Sequence, residues 1–342
     1  MKPENCQRII CHNPFEWFEI HPDGQVFACC PAWLKRSLGN LLTDDLDDIW
    51  NGTTARDLRR SIHDSSFRHC NRRRCPRLVN GTAPVGKLGE LEKGVFRDVF
   101  EAKQTRLPWG PQKLNLCYDR SCNLACSSCR SGFYAASDEE QFRADYLSDR
   151  VRRELAPHAR QLIISGTGDP FASSSYRRLL EEFVPREYPH LESIHLHSNG
   201  LLWDSAAWQS MQAAQPFVRT AEISIDAASA EIYSLNRGGD FDLLLDNLTF
   251  LARLPIAITL SFVVQQNNYR EMADFVSLAQ GFDFAVYFSQ LVNWGTFRRE
   301  EFLRRAVHLP DHPEHAAFCS VLGEVAKQER VDVGNLQSVL NR

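Results

Sequence analysis

No apolar run in this sequence is long enough to cross a bilayer, and the N-terminus, MKPENCQRIICHNPFEWFEI, lacks the apolar core of a secretory signal. These two absences predict a cytoplasmic protein with no membrane partner. Charge of one sign is not in excess either. The formal net charge is −4 over 342 residues, so nothing draws the chain as a whole to nucleic acid or anionic lipid. Internal repeats and low-complexity tracts are missing, and with them the case for a repeat array or a disordered tract. Cysteine is what the chain has in quantity. There are eleven, an odd number, so at least one thiol stays outside any complete set of pairs. A reducing cytoplasm disfavours disulfides and leaves metal or cluster ligation as the use for the rest.

Residues 1–105 hold six of those cysteines, several turn signals (HPDG, NGT, NGTAPVG) and few long periodic runs. They predict a small, loop-rich α+β domain that relies on a metal to fold. From about residue 111 the texture changes. Strand signals at 114–117, 161–165, 193–198, 221–226, 256–264 and 282–290 alternate with helical stretches at 138–156, 173–184, 204–214, 240–253 and 269–280. That alternation predicts parallel βαβ units, and over 106–300 a partial, TIM-like (β/α)6 barrel with its functional loops at the strand C-termini. Residues 301–342 read as a charged tail with one helix near 314–329.

Cys122, Cys126 and Cys129, in CNLACSSC, form a C-x3-C-x2-C triplet directly after the first barrel strand. Three thiolates so close can hold three corners of a cubane [4Fe–4S] cluster. With no fourth cysteine nearby, one iron keeps an open position for a ligand. Three cysteines also suit a zinc site, although zinc pairs are more often C-x2-C with a second pair downstream. The triplet and the elements described next resemble the radical S-adenosylmethionine (SAM) superfamily over roughly residues 111–297.

The resemblance implies that the open iron chelates the amino and carboxylate groups of SAM. Electron transfer into the sulfonium then releases a 5′-deoxyadenosyl radical, which takes a hydrogen atom from the substrate. After the second strand, Ser165-Gly166-Thr167-Gly168-Asp169-Pro170 stands where the family has a glycine-rich loop with an acid for the SAM ammonium. Here Thr167 replaces a glycine and Asp169 a glutamate; by itself the stretch also reads as an ordinary turn. Ser198-Asn199-Gly200 is similar to the turn the family places beside the SAM ribose and methionine, and Ser224-Ile225-Asp226 to its fourth-strand element. Ser224 and Asp226 alternate onto one face of the strand. Arg237, in LNRGGDF, is the counterpart of an arginine that takes the SAM carboxylate, and reads equally as a solvated helix-end charge. Ser128 occupies the place of an aromatic beside adenine, where its backbone still reaches the adenine edge. Gln265-Gln266-Asn267-Asn268 and the segment through Trp294 would close the adenine and substrate side, with Trp294 equally a packing residue. Cys117, on the preceding strand, reads as a core thiol.

Cys11 and Cys29 flank a C-x12-G-x4-C pattern, followed by Gly39-Asn40-Leu41, Ile49-Trp50-Asn51-Gly52 and Cys70-x4-Cys75. This resembles the SPASM and twitch domains of radical SAM enzymes, here ahead of the barrel rather than behind it. The resemblance implies an auxiliary [4Fe–4S] cluster on Cys11, Cys29, Cys70 and Cys75, closed by four thiolates and suited to electron transfer. The Asp23-Gly24 turn is expected to fold the hairpin that brings Cys11 and Cys29 together. Only Cys6 and Cys30 are spare, so one auxiliary cluster is the economical number. The same four cysteines would also make a zinc knuckle. The arginines of 56–77 read as a solvated basic face.

The expected function is therefore radical SAM chemistry with an external one-electron donor such as flavodoxin or ferredoxin. The single auxiliary cluster favours oxidation or rearrangement of a small molecule of sugar, alcohol or nucleotide type. Two alternatives stand beside it: a ribosomal-peptide maturase that cross-links or epimerises, and a non-catalytic zinc module.

Overall fold

The computed structural model describes residues 8–165 and 167–341. The chain begins with a short strand, Ile9–Cys11 (β1), and then a hairpin of Trp17–Ile20 (β2) and Gln25–Phe27 (β3). The turn at Gly24 requires its glycine twice over. The backbone takes φ +78°, and a Cβ there would lie 2.3 Å from the Asn40 Oδ1. Gly39–Asn40 (β4) pairs antiparallel with β3, and the Asn40 amide nitrogen Nδ2 donates to the Asp23 carbonyl at 3.0 Å. The Gly-Asn-Leu signature thus packs the second strand's edge onto the hairpin turn.

Two units divide the chain. The first holds the chain up to Asp119, with Ser137–Thr167 and Val184–Ser193; the second holds Arg120–Ala136, Gly168–Phe183 and Ile194 onward. In the first unit, Leu46–Asn51 (α1) and Thr53–His63 (α2) precede Val85–Lys87 (β5), which pairs antiparallel with β1. Val95–Glu101 (α3) and the strand Lys113–Leu116 (β6) follow. The strand β6 runs parallel to β2, with Trp17 opposite Lys113 and Ile20 opposite Leu116. Asp138–Arg150 (α4) continues into a wider turn over Val151–Leu155, and Gln161–Ile164 (β7) pairs parallel with β6. The N-terminal hairpin therefore joins the strands on both sides of residue 105 into one sheet.

The helices α1 and α2 were not legible as periodic runs. Gly52 separates them, and Arg59 occupies an inward position among Ala55, Leu58 and Ile62. Its guanidinium lies 4.4 Å from the Trp50 ring centroid and donates to the Pro14 carbonyl (2.8 Å), the Thr105 carbonyl (3.0 Å) and Asn51 Oδ1 (3.2 Å). Burial pulls its pKa down to about 9. One arginine of the expected basic face is thus a core residue. Phe15, Phe18 and Phe100 are fully buried around it, each worth about 1.5–3 kcal/mol.

The second unit contains Ser174–Glu181 (α5) and a run of parallel strands with intervening helices. These are Ser193–Ser198 (β8), Val218–Ser224 (β9), Ala230–Asn236 (α6), Phe241–Leu251 (α7), Ala257–Val264 (β10), Met272–Gly281 (α8), Ala285–Gln290 (β11), His315–Val325 (α9) and Val331–Asp332 (β12). All neighbouring pairs from β8 to β12 are parallel. Leu196, Ile223, Leu260, Phe262 and Phe288 point to the buried side at every second position. This is the expected largely parallel α/β arrangement with a small N-terminal domain. The helix expected at 204–214 is shorter, Ser205–Ser210, because the chain leaves the helix at Met211 before Pro216. The seven-residue α6 and the short edge strand β12 lay below what periodicity reveals. Among the described residues no helix is long and apolar enough to cross a membrane.

Candidate active site

The cysteine loop lies wholly within the second unit. Cys122 is fixed by a backbone bond from its N–H to the Tyr134 carbonyl (2.9 Å). The amides of Cys129 and Arg130 both donate to the Cys126 carbonyl at 2.9 and 3.0 Å, which curls 126–130 into a single helical turn. Cys122 and Cys129 are close enough that their thiolates would raise Cys126. Burial pushes the Cys122 and Cys126 thiols up, and Arg237 beside both opposes it. Cys129 is the exposed member, with the Arg130 guanidinium 3.7 Å from its sulfur. Two more segments hold the loop. Ser127 N–H donates to the Asn236 carbonyl (3.3 Å), and Thr296 Oγ1 donates to the Ser128 carbonyl (3.4 Å).

Asp169 is fully buried, and both of its oxygens accept from the protein. Oδ2 takes Ser198 Oγ (2.9 Å) and the Asn199 N–H (2.8 Å); Oδ1 takes the Phe171 N–H (2.9 Å). Burial raises its pKa against these bonds. Its place in the structure is thus under the Ser198-Asn199 turn. Asn199 in turn donates from Nδ2 to Asn123 Oδ1 (2.8 Å), with the Cys122 sulfur 3.8 Å away. A buried carboxylate, a turn and the first cysteine form one connected chain of hydrogen bonds.

Asp226 and Arg237 form the second support. Asp226 adopts φ +62° at the end of β9, accepts the Val263 N–H at 2.7 Å and pairs with Arg237 at 3.1 Å. The Arg237 Nε is buried with no hydrogen-bond partner among the described residues. A buried cation with a donor left over, beside Cys122 and Cys126, suits an anionic ligand. Ser224 lies in a different set of bonds, with His197 Nε2 at 3.0 Å and Ser261 Oγ at 3.2 Å. In the first unit, Thr167 Oγ1 donates to the Cys117 carbonyl (2.9 Å), and Cys117 is buried. Gly166 and Cys6 lie outside the described residues, and Gly168 begins the second unit's part of its loop. Asn123, Asn236 and Thr296 carry no chemical signal of their own in the sequence. Their only signal was position, beside Cys122, before Arg237 and after Trp294.

The N-terminal cysteines gather in the first unit. Cys11, Cys29, Cys70 and Cys75 lie within electrostatic reach of one another: Cys11 is raised by burial and by the other three, and Cys70 is raised to about 12 by burial, Cys29 and Cys75. Cys30 is beside them, pushed up to about 11 by burial. The route differs from the one expected. The β2–β3 hairpin forms, but Cys11 is carried by β1 and positioned by its pairing with Val85 of β5. Asn71 closes the other pair, its carbonyl accepting from Cys75 N–H at 2.9 Å. Among the described residues no three His, Cys, Asp or Glu side chains converge tightly enough for a single metal ion.

Comparison with known proteins matches residues 119–279 to the radical SAM superfamily and residues 11–76 to the SPASM iron–sulfur cluster-binding domain. The chain belongs to the radical SAM superfamily. Its SPASM domain precedes the radical SAM domain, and the cofactors of this pairing are a SAM-binding [4Fe–4S] cluster, SAM and an auxiliary cluster. No curated protein matches the chain. Among solved structures, Streptococcus suis SuiB is similar at 11% identity and TM-score 0.47, covering 71% of this chain and 55% of SuiB. SuiB bound to the precursor peptide SuiA covers 95% of this chain and 71% of that one, at 10% identity and TM-score 0.46. Native anSMEcpe with bound AdoMet is similar at 17% identity and TM-score 0.44, over 65% of this chain and 64% of its own. The chain thus spans between half and two thirds of the length of SuiB and anSMEcpe in their peptide-free structures.

Proposed function

We propose that Cys122, Cys126 and Cys129 hold a [4Fe–4S] cluster at which SAM is cleaved reductively, and that the protein directs the resulting hydrogen abstraction to a peptide substrate. When bound, the cluster and SAM supply a 5′-deoxyadenosyl radical; the chain's own residues supply position and charge. Asn199, pinned by Asp169, orients the turn beside Cys122. Arg237, held by Asp226, offers its free Nε to an anionic group such as the SAM carboxylate. Thr296 and Asn236 keep the loop curled. The observation that carries this reading is the cysteine triplet on one short loop, with a buried arginine beside two of its sulfurs.

Cys11, Cys29, Cys70 and Cys75 would hold the auxiliary cluster, which takes or gives one electron during turnover. The match over 11–76 is to the SPASM domain rather than to a twitch domain. It supports the maturase reading over small-molecule oxidation. SuiB, for its part, binds a precursor peptide, SuiA. An external electron donor completes the proposal.

The test is anaerobic turnover with SAM and a chemical reductant, reading 5′-deoxyadenosine by mass spectrometry. Cys126→Ala should form none; undiminished formation would remove the triplet from the mechanism. Cys70→Ala should still cleave SAM but without product. Deuterium transfer into 5′-deoxyadenosine from labelled peptides, and its absence with sugars and alcohols, decides the substrate class.

A further inference from the structure

The four thiols proposed to hold the auxiliary cluster, Cys11, Cys29, Cys70 and Cys75, are not equivalent. Cys29 Sγ accepts from the indole Nε1 of Trp33 at 3.1 Å and from the side-chain Nδ2 of Asn13 at 3.4 Å. The backbone N–H of Cys30 also reaches it, and burial, which pushes the Cys29 thiol up, is opposed by all three donors. The Asn13 backbone N–H serves Cys11 in the same way. Cys70, by contrast, is raised by burial and by Cys29 and Cys75, with only the charge of Arg72 and no hydrogen-bond donor against it. The indole is held in place from both sides of the cysteine set. Trp33 N–H donates to the Cys30 carbonyl (3.3 Å), and the Trp33 carbonyl accepts from Asn71 N–H (2.8 Å), next to Cys70.

An N–H donor to a cluster sulfur favours the state with more negative charge, which is the reduced one, and so raises the reduction potential. A neutral donor fixed by the fold does this without adding a net charge that solvent ions would screen. We infer that Trp33 and Asn13 are positioning residues for Cys29 that raise the reduction potential of the auxiliary cluster and bias it toward accepting an electron. The inference rests on the proposed auxiliary [4Fe–4S] cluster. Neither residue belongs to a cysteine motif.

The test uses full-length Cys126→Ala protein, reconstituted anaerobically, so that the auxiliary cluster alone gives the electron paramagnetic resonance signal during a reductive titration. Trp33→Phe keeps an aromatic ring and removes the donor; Asn13→Leu removes the longer bond and leaves the backbone N–H to Cys11. Both should lower the midpoint potential, Trp33→Phe the more, with iron content unchanged. A midpoint that does not move in either variant overturns the inference. Should Trp33→Phe fail to hold its cluster, the unsubstituted indole still answers: protein grown with 15N-tryptophan should show nitrogen hyperfine coupling in the reduced cluster. Absence of that coupling also overturns it. Absence of any cluster from the Cys126→Ala protein is a different result, and overturns the auxiliary-cluster reading itself.

Discussion

Asp226 and Arg237 face each other at 3.1 Å, the carboxylate almost wholly and the guanidinium largely withdrawn from solvent. Burial works against the arginine's charge, but Cys126 and Asp226 beside it hold its pKa above the ordinary value. Such a pair contributes little stability as a pair and a large penalty when halved. Arg237→Met should therefore cost about 3–5 kcal/mol in urea unfolding. The double variant Asp226→Asn with Arg237→Met should regain much of that loss. If the single and double variants unfold alike, Asp226 is not the group that suffers.

Asp169 underlies the turn that approaches Cys122. Asp169→Asn replaces a charged acceptor of the Ser198 hydroxyl and the Asn199 N–H with a neutral one. The expected stability loss is about 1–3 kcal/mol. SAM affinity of the reconstituted protein should fall about tenfold, the equivalent of about 1.4 kcal/mol. Calorimetric titration with SAM measures it, and unchanged affinity would detach this turn from the cofactor.

Gly24 should tolerate no side chain. Gly24→Ala forces a Cβ into φ +78° and against Asn40, so it should destabilise the protein by about 1–3 kcal/mol. Because Cys29 follows the same hairpin, iron bound by the SPASM cysteines should drop first. Iron analysis of Gly24→Ala in the Cys126→Ala background reads that site separately.

His195 on β8 binds Thr220 Oγ1 at 2.8 Å, and burial, assisted by His197 and opposed by Glu222, lowers its pKa to about 4. Unfolded, it would titrate near about 6.5. The unfolded chain therefore binds the extra proton between those values. Stability from neutral His195 is full above about pH 6.5 and is lost as pH falls toward 4. His195→Gln should flatten the acid slope of thermal stability over that window. An identical slope in both proteins would show that the imidazole does not titrate on unfolding.

The cysteine triplet, the order of strands after residue 111 and the Asp23-Gly24 turn were legible because each is written in consecutive residues: a ligand spacing, a period of two, a dipeptide with a required φ. The helices α1 and α2 were not, because Arg59 stands where an apolar residue belongs and is accommodated by Trp50 and three acceptors from distant segments. The same limit governed the sites. The sequence marks Asp169 as an acid at the SAM loop; only the fold shows that its oxygens also accept from Ser198 and Asn199. Trp33 carried no signal, because its meaning lies in a 3.1 Å approach to Cys29.

Residue types and short spacings determined which chemistry this chain can support, since thiolates, glycines and alternating apolar residues act through their nearest neighbours. Tertiary structure decided the rest: β2 running parallel to β6, with Glu19 bound to Asn115 across 96 residues of sequence, and each buried charge meeting its partner. Those pairings depend on which groups lose water together, and a linear sequence does not state that.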